Sequence, residues 1–197
     1  MKTCVVIYNP NSGHTLRRSN IASYKNLIER HGYRASFIGT EYKGHAKEIV
    51  SHIGYVDLVI SMGGDGTFNE IVFGNLQRKQ RLILAHIPVG TTNDVGVMFG
   101  YGHNIEKNIE ACLTGVVKGM DICMINNRPF VYVAGFGKFL NIPYETPRKL
   151  KKKYGHFAYL VSGLKDFFQV TKNYDVTYEV NGEKIEGLYS FVLINCI

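Results

Sequence analysis

The segment Gly-Gly-Asp-Gly-Thr at residues 63–67 has the residue types and the spacing to bind an anion. An apolar run at residues 57–62 precedes it, and a predicted helix continues through residues 68–73. Glycine has no Cβ, so the backbone can turn tightly between the strand and the helix. The start of a helix leaves N–H groups unpaired and carries a partial positive charge. We therefore predict that a phosphate group binds at this turn, with an ordinary glycine-rich turn as the alternative.

This segment differs from two familiar phosphate-binding motifs. No Gly-Lys-Ser/Thr follows it, as a Walker A loop requires. Its glycines also lack the Gly-x-Gly-x-x-Gly spacing of dinucleotide-binding folds. The segment therefore belongs to neither motif.

Small polar residues also follow three other predicted strands. They occupy residues 9–13 after the first strand, Thr40 and residues 44–46 after the second, and residues 88–94 after the fourth. Asn, Ser and Thr side chains can hydrogen-bond a ligand, although they are also common in plain turns. Because the carboxyl ends of parallel strands share one edge of a sheet, four such loops together favour a ligand that carries phosphate.

Alternating apolar and helical stretches fill the first 120 residues and predict the framework that positions these loops. Strands are predicted at residues 4–8, 34–38, 57–62 and 82–89, and helices at residues 19–31, 45–52, 67–76 and 105–113. Apolar strands separated by helices are typical of a parallel sheet that is covered on both faces. We predict an α/β fold in which residues 1–120 form a doubly wound, mainly parallel sheet that binds nucleotide.

The pattern becomes antiparallel after residue 120. Asn126-Asn127 separates strands predicted at residues 121–125 and 130–134, and Asn181-Gly182 separates strands predicted at residues 176–180 and 185–194. A long basic and aromatic helix is predicted between the two hairpins, at residues 148–168. We predict a β-rich second domain of the β-sandwich type at residues 121–197. Because the chain stops within an apolar strand, we expect this domain to be incomplete.

Composition places the chain among ordinary soluble globular proteins. Of its 197 residues, 45% are hydrophobic and 20% are charged, which is enough apolar material for a core. Its four cysteines and seven histidines show neither disulfide nor metal-ligand spacing, and no signal peptide is recognisable, so we expect a cytoplasmic protein. The net charge of +7 points to anionic partners. Arg148, Lys149 and residues 151–153 concentrate that charge, either on a solvated helix face or against an anionic bilayer.

The order of the loops gives the chain a specific resemblance. Residues 9–13, Gly-Gly-Asp-Gly-Thr-Phe-Asn-Glu at residues 63–70, and residues 88–94 resemble the diacylglycerol kinase catalytic family. That family includes sphingosine and ceramide kinases, and its first domain is similar to NAD kinases. The segments at residues 144–147 and 154–159 resemble the soluble bacterial diacylglycerol kinases within it.

The resemblance implies that ATP lies against these loops, with its phosphates between the first and the third. The implied nucleotide-binding residues are Asn9, Pro10, Asn11, Ser12, Gly13, Thr40, Gly64, Asp65, Gly66, Thr67, Phe68, Asn69, Glu70 and Thr91. Asp65 would position the nucleotide either directly or through a metal ion. Mg²⁺ would bridge the β- and γ-phosphates while the γ-phosphoryl group moves to a lipid hydroxyl.

The resemblance also implies residues that the chain does not contain. In the family, the general base and the acidic residues that hold a structural Mg²⁺ belong to the later part of the second domain, beyond Ile197. We therefore assign no catalytic residue and no metal ligand within this chain. General-base assistance is typically worth ~10²–10⁴ in rate, so we expect the chain to bind nucleotide and to turn over poorly.

We predict a lipid kinase that converts diacylglycerol into phosphatidic acid, or that phosphorylates a related lipid alcohol. A non-catalytic nucleotide-binding module and an NAD kinase-like enzyme are the alternatives. The expected partners are the lipid substrate and an anionic membrane surface, without nucleic acid, and a homodimer is compatible with the resemblance. The expected location is the cytoplasm, with peripheral association at the membrane.

Overall fold

A computed structural model describes residues 1–12, 18–137, 173–180 and 182–196. The chain divides into two compact units, Met1–Tyr132 and Val133–Ile197. The domain boundary after residue 120 stays a prediction. In order along the chain, the first unit contains β1 (Lys2–Tyr8), α1 (Arg18–Arg30), β2 (Tyr33–Gly39), α2 (His45–His52), β3 (Leu58–Gly63), α3 (Asp65–Leu76), β4 (Leu84–Pro88), α4 (Asp94–Met98), α5 (Ile105–Thr114), β5 (Cys123–Ile125) and β6 (Arg128–Phe130).

A parallel sheet of four strands forms the centre of the first unit, in the order β2-β1-β3-β4. The central pair is in register from Cys4 opposite Leu58 to Tyr8 opposite Met62. Every residue of β3 is buried, as expected for a strand whose sheet is covered on both faces. The predicted α/β fold with a parallel sheet is confirmed.

Helices cover both faces of this sheet. One face packs against α1 and α5 through Tyr24, Ile28 and Ile109. The other face packs against α2 and α3 through Val50 and Ile71. Connections between parallel strands are right-handed. The connection from β1 to β2 and the connection from β2 to β3 run in opposite directions along the sheet, so α1 and α2 lie on opposite faces.

Close backbone contact and one arginine join α2 to α3. A Cβ on Gly74 would collide with a backbone carbonyl of α2, so glycine lets the two helices touch. The Arg78 guanidinium donates to the carbonyl oxygens of Val50 and Ile53, at 2.7 and 2.6 Å, and to that of Gly54 at 3.2 Å. These carbonyls lie at the end of α2, where the helix itself supplies no donor.

Most predicted elements of the first unit are confirmed, with three differences. α3 begins at Asp65, two residues earlier than predicted, because the helix starts directly at the glycine turn. β4 is shorter than the predicted strand at residues 82–89. α4 was not predicted, since five residues are too few to show a helical periodicity.

The predicted hairpin turn at Asn126-Asn127 is also confirmed, but its second strand, β6, lies at Arg128–Phe130 and not at the predicted residues 130–134. β5 and β6 pair antiparallel, with Ile125 opposite Arg128. The two asparagines between them have φ values of 48° and 60°. A two-residue hairpin of type I′ requires positive φ at both positions, which asparagine tolerates better than most residues.

Antiparallel pairs build the second unit, so its β-rich character is confirmed. The strands are β7 (Val133–Gly137), β8 (Tyr174–Val180), β9 (Glu183–Tyr189) and β10 (Phe191–Asn195). β8 pairs with β9, and β10 pairs with β7. The strand predicted at residues 185–194 is therefore two strands, which separate at Ser190.

The helix predicted at residues 148–168, with its basic run, lies outside the described residues. Among the helices that the structure describes, none has both the length and the apolar character needed to cross a bilayer.

Candidate functional site

The loops that follow the four parallel strands lie side by side at one edge of the sheet. The first amide of three of these loops donates a hydrogen bond to the end of a neighbouring strand, as the amides within the strands do. The Thr40 amide donates to the last carbonyl of β1 at 2.8 Å, and the Asn9 amide donates to the Met62 carbonyl at 3.1 Å. The Val89 amide donates to the Gly63 carbonyl at 2.9 Å. The sheet therefore brings together the four loops that the sequence placed at one edge.

A crevice between neighbouring connections opens where β1 and β3 end. The two strands are adjacent, yet the chain leaves β1 towards α1 on one face and leaves β3 towards α3 on the other. Ligands of open α/β sheets bind where neighbouring connections diverge in this way. The loops after β1 and β3, which carry residues 9–12 and 64–67, flank that position.

Asn9 shapes the loop after β1. Its Oδ1 accepts a hydrogen bond from the Asn11 amide at 2.8 Å, and its carbonyl accepts one from the Ser12 amide at 3.0 Å. This is an Asx turn, in which a side chain fixes the backbone that follows it. Pro10 and Asn11 are exposed and Ser12 is partly exposed, so they are accessible to a ligand. Gly13 lies outside the described residues.

The start of α3 presents backbone amides at the same edge. Gly64 is the N-cap, and it has an extended backbone conformation. The first bonds of the helix run from the Thr67 and Phe68 amides to the Gly64 carbonyl, at 3.0 and 3.2 Å. The Asp65 and Gly66 amides precede them and have no acceptor within the helix. The positive end of α3 thus offers donors to an anion.

Two glycines bring the loops after β3 and β4 into backbone contact. A Cβ on Gly90 would lie 2.7 Å from the Gly64 Cα and 2.8 Å from the Asn93 Oδ1. A Cβ on Gly63 would lie 2.6 Å from a threonine side chain of α3. By contrast, a Cβ on Gly64 would make only an ordinary contact, and one on Gly66 would meet no atom within 4 Å. Positions 63 and 90 therefore require glycine for packing, whereas positions 64 and 66 leave room beside the backbone.

The Asp65 carboxylate joins these two loops. Its oxygens accept hydrogen bonds from the Asp94 and Val95 amides at 3.2 and 3.1 Å, so it caps the start of α4 from another loop. Burial, and then the charge of Asp65, raises the pKa of the Asp94 carboxyl. The sequence predicted a ligand role for Asp65 and gave no sign of this cap, because the partner lies 29 residues away.

The other predicted residues occupy different environments. Thr40, Thr67 and Phe68 are buried. Phe68 lies in an apolar cluster with Val72 and Val95, so its side chain supports α3 from inside. Thr91 is exposed on the loop after β4 and is free to contact a ligand.

Two asparagines near the loops carry buried acceptors. Within the described part of the chain, Asn69 Oδ1 and Asn93 Oδ1 have no hydrogen-bond partner. Asn93 has a left-handed backbone with φ 60°, and its Nδ2 donates to the Gly90 carbonyl at 3.0 Å. Buried acceptors normally have a donor, so these two oxygens are suited to hydroxyl groups of a ligand or to water. Asn93 belongs to the loop at residues 88–94 that the sequence indicated, although it was not among the nucleotide-binding residues that the resemblance implied.

A separate cavity of about 790 Å³ lies along β4. Its lining is mainly apolar and includes Leu84, Phe99 and Val117. Arg81 and Lys118 also line the cavity, but its mainly apolar surface offers a triphosphate few donors in exchange for the hydration that it would lose. We therefore locate the candidate anion site at the loops and not in this cavity.

His86, which also lines this cavity, is fully buried on β4. Its ring stacks on Phe68 with centroids 4.7 Å apart, and its Nδ1 lies 3.3 Å from the Ser61 Oγ. Burial lowers the pKa of His86 from 6.5 to about 4. The unfolded chain takes up a proton below about pH 6.5, whereas the folded chain resists it until about pH 4. The contribution of His86 to stability is therefore complete above pH 6.5 and is lost as the pH falls towards 4.

We expect the free energy of unfolding to fall by about 2 kcal/mol through this group between about pH 7 and about pH 5. A His86→Gln variant lacks the titrating ring, so its unfolding free energy should lack this part of the pH dependence. Urea unfolding of both proteins at the two pH values measures the difference. Equal pH dependence in the two proteins would contradict the prediction.

Comparison with known proteins identifies the family of this chain. The family model described as the diacylglycerol kinase catalytic domain matches residues 3–125. A diacylglycerol kinase of Bacillus subtilis (strain 168) is 32% identical over 98% of this chain and 65% of its own length. One of Staphylococcus aureus (strain JH9) is 35% identical over 94% of this chain and 59% of its own length.

The fold comparison gives the same relatives. The crystal structure of a diacylglycerol kinase from Bacillus anthracis str. Sterne aligns with 98% of this chain and 63% of its own, with a TM-score of 0.73 and 25% identity. The chain thus spans about three fifths to two thirds of the length of the relatives that it matches.

Proposed function

The chain belongs to the diacylglycerol kinase catalytic family, and from that premise we propose that it acts as an ATP-dependent lipid kinase. The reaction is the transfer of the γ-phosphoryl group of ATP to the hydroxyl of diacylglycerol, which gives phosphatidic acid, or to that of a related lipid alcohol. The observation that carries the proposal is the crevice at the ends of β1 and β3, which the Asx turn at Asn9 and the start of α3 flank. Free amides and small side chains at such a crevice suit a triphosphate.

The nucleotide lies along the loops in this proposal. The phosphates contact the backbone at residues 9–13 and 64–67, where Gly64 and Gly66 leave room for close approach. Thr91 adds a hydroxyl from the loop after β4. The unpartnered Asn69 Oδ1 and Asn93 Oδ1 accept from hydroxyl groups of the nucleotide or from bound water.

Mg²⁺ fits this arrangement as a companion of the nucleotide. We propose that phosphate oxygens and water supply most of its ligands. The described residues include no group of three or more His, Cys, Asp or Glu that could hold a metal ion. The metal supplies charge neutralisation at the β- and γ-phosphates. The amides at the start of α3 and the Asx turn hold the phosphates, and the packed loops orient them.

The partners and the location follow from the lipid substrate. Diacylglycerol resides in membranes, so we propose a cytoplasmic protein that associates with the surface of the bilayer. The five cations at residues 148–153 support this proposal, since each adds roughly 1 kcal/mol of attraction near an anionic bilayer. A homodimer is part of the same proposal.

The test follows labelled phosphate from ATP into its acceptor, with the full-length protein as the enzyme. Labelled ATP, Mg²⁺, vesicles that contain diacylglycerol, and free NAD are incubated together, and lipid and aqueous extracts are then counted. We expect the label in phosphatidic acid. Label in the NAD fraction would favour an NAD kinase, and MgATP binding without transfer to either acceptor would favour a non-catalytic nucleotide-binding module.

A further inference from the structure

The loop between β2 and α2, residues 40–44, is fixed at both ends. At its start, the buried Thr40 donates its amide to the end of β1. At its end, Gly44 is the N-cap of α2 and has a φ of 95°, a left-handed conformation that favours glycine. The Gly44 amide donates to the Oε1 of Glu70 in α3 at 2.9 Å. The loop is therefore tied to the helix that begins with the glycine-rich segment.

Glu70 supplies a capping group that α2 lacks in its own sequence. In a capping box, a Glu or Gln at the third helical position accepts a hydrogen bond from the N-cap amide. That position of α2 is Lys47, whose ammonium lies 4.0 Å from the centroid of the Phe73 ring. Glu70 provides the carboxylate from the neighbouring helix instead. Its negative charge is also favourable at the positive start of α2.

Electrostatics argue against direct contact between Glu70 and phosphate. A carboxylate repels a triphosphate, and one oxygen of Glu70 is already bound to an amide. Asp65, the other acid of the segment at residues 63–70, likewise accepts from backbone amides of an adjoining loop. Both acids thus hold neighbouring loops, one on each side of the glycine-rich turn.

We propose that Glu70 is a positioning residue for the nucleotide site. Its carboxylate holds the loop at residues 40–44 in place at the carboxyl edge of the sheet, beside the other loops, and it does not touch the nucleotide. The role of Glu70 in nucleotide binding rests on the proposed function, because this role requires that the nucleotide lies at these loops. The bond between Glu70 and Gly44 stands independently of that function.

The test compares Glu70→Ala with Glu70→Gln in the chain of 197 residues. Glutamine keeps an acceptor oxygen for the Gly44 amide and lacks the charge, whereas alanine lacks both. We expect the Kd for MgATP, measured by calorimetry, to rise about tenfold in Glu70→Ala and to stay within about threefold in Glu70→Gln. Hydrogen exchange at the Gly44 amide should speed up in the alanine variant alone.

A matched control and three outcomes decide between the interpretations. Glu110→Ala, which removes an exposed carboxylate from α5, should change neither quantity. Equal losses of affinity in Glu70→Ala and Glu70→Gln would overturn the proposal, because the charge itself would then contact the ligand or its metal. An unchanged affinity for MgATP in Glu70→Ala would also overturn the proposal, because the bond between Glu70 and Gly44 would then have only a structural role. If the unsubstituted chain binds no MgATP, the proposed function fails as well, and this outcome is distinct from the other two.

Discussion

A Gly90→Ala substitution should both destabilise the first unit and weaken the binding of MgATP at least tenfold. The added Cβ would lie 2.7 Å from the Gly64 Cα and 2.8 Å from the Asn93 Oδ1. Gly64 is backbone at the N-cap of α3, so it cannot rotate away as a flexible side chain would. Relief requires the loop after β4 to move away from α3, and overpacking of this kind typically costs about 1–3 kcal/mol.

Affinity should fall with stability because the same two loops border the proposed phosphate position. Calorimetric titration with MgATP and urea unfolding measure the two effects. Gly102→Ala is the matched control, since a Cβ there meets no atom within 4 Å and its φ is not positive. A Gly90→Ala protein with the stability and the affinity of the unsubstituted chain would contradict the contact between the loops.

Replacing Arg78 by alanine should lower the free energy of unfolding by about 3 kcal/mol. The guanidinium serves the carbonyls of Val50, Ile53 and Gly54 at the end of α2, and its Nε also donates to the Gln80 carbonyl at 3.2 Å. Without it, partly buried carbonyls keep no donor from the protein. Bonds to a charged donor are worth more than neutral ones, and several are lost together.

Arg78→Lys tests the geometry of this contact. A lysine ammonium cannot reproduce the planar fork, so we expect it to recover less than half of the loss. Lys79→Ala removes the adjacent exposed cation and should be nearly neutral. Urea unfolding compares the three variants. A loss below about 0.5 kcal/mol in Arg78→Ala, within the range of ordinary surface changes, would show that the carbonyls find other partners.

Much of the fold could be predicted because its determinants are local. The apolar runs of β1 to β4 and the glycines that end the helices are visible within short windows of the sequence. The residues before and after Asn126-Asn127 form the predicted hairpin for the same reason, since the positive φ values of that turn depend on two adjacent residues. α4 escaped prediction because five residues show no helical periodicity, and because a distant side chain rather than a local one caps its start.

The gathering of the loops at one edge of the sheet could also be predicted, but the hydrogen bonds between those loops could not. Parallel strands separated by helices put the loops at residues 9–12 and 63–67 on one edge, whatever the strand order. The bond from Gly44 to Glu70 and those to Asp65 link residues that are 26 to 30 positions apart. The packing of Gly90 on Gly64 likewise needs the two loops in space. Which acids hold loops is therefore visible only in the folded chain.

The pairing of β1 with β3 has a consequence for how the protein folds. The hydroxyl of Thr3 in β1 donates to the carboxylate of Asp57, directly before β3, at 2.8 Å, and these two residues are 54 positions apart in the sequence. Closing so long a segment costs chain entropy before any contact repays it, and parallel pairing of this kind is slow. We expect the crevice at the ends of β1 and β3 to be among the last features to form as the first unit folds. A bound nucleotide should then act mainly by retarding unfolding, because contacts made after the transition state slow the unfolding rate and leave the folding rate nearly unchanged.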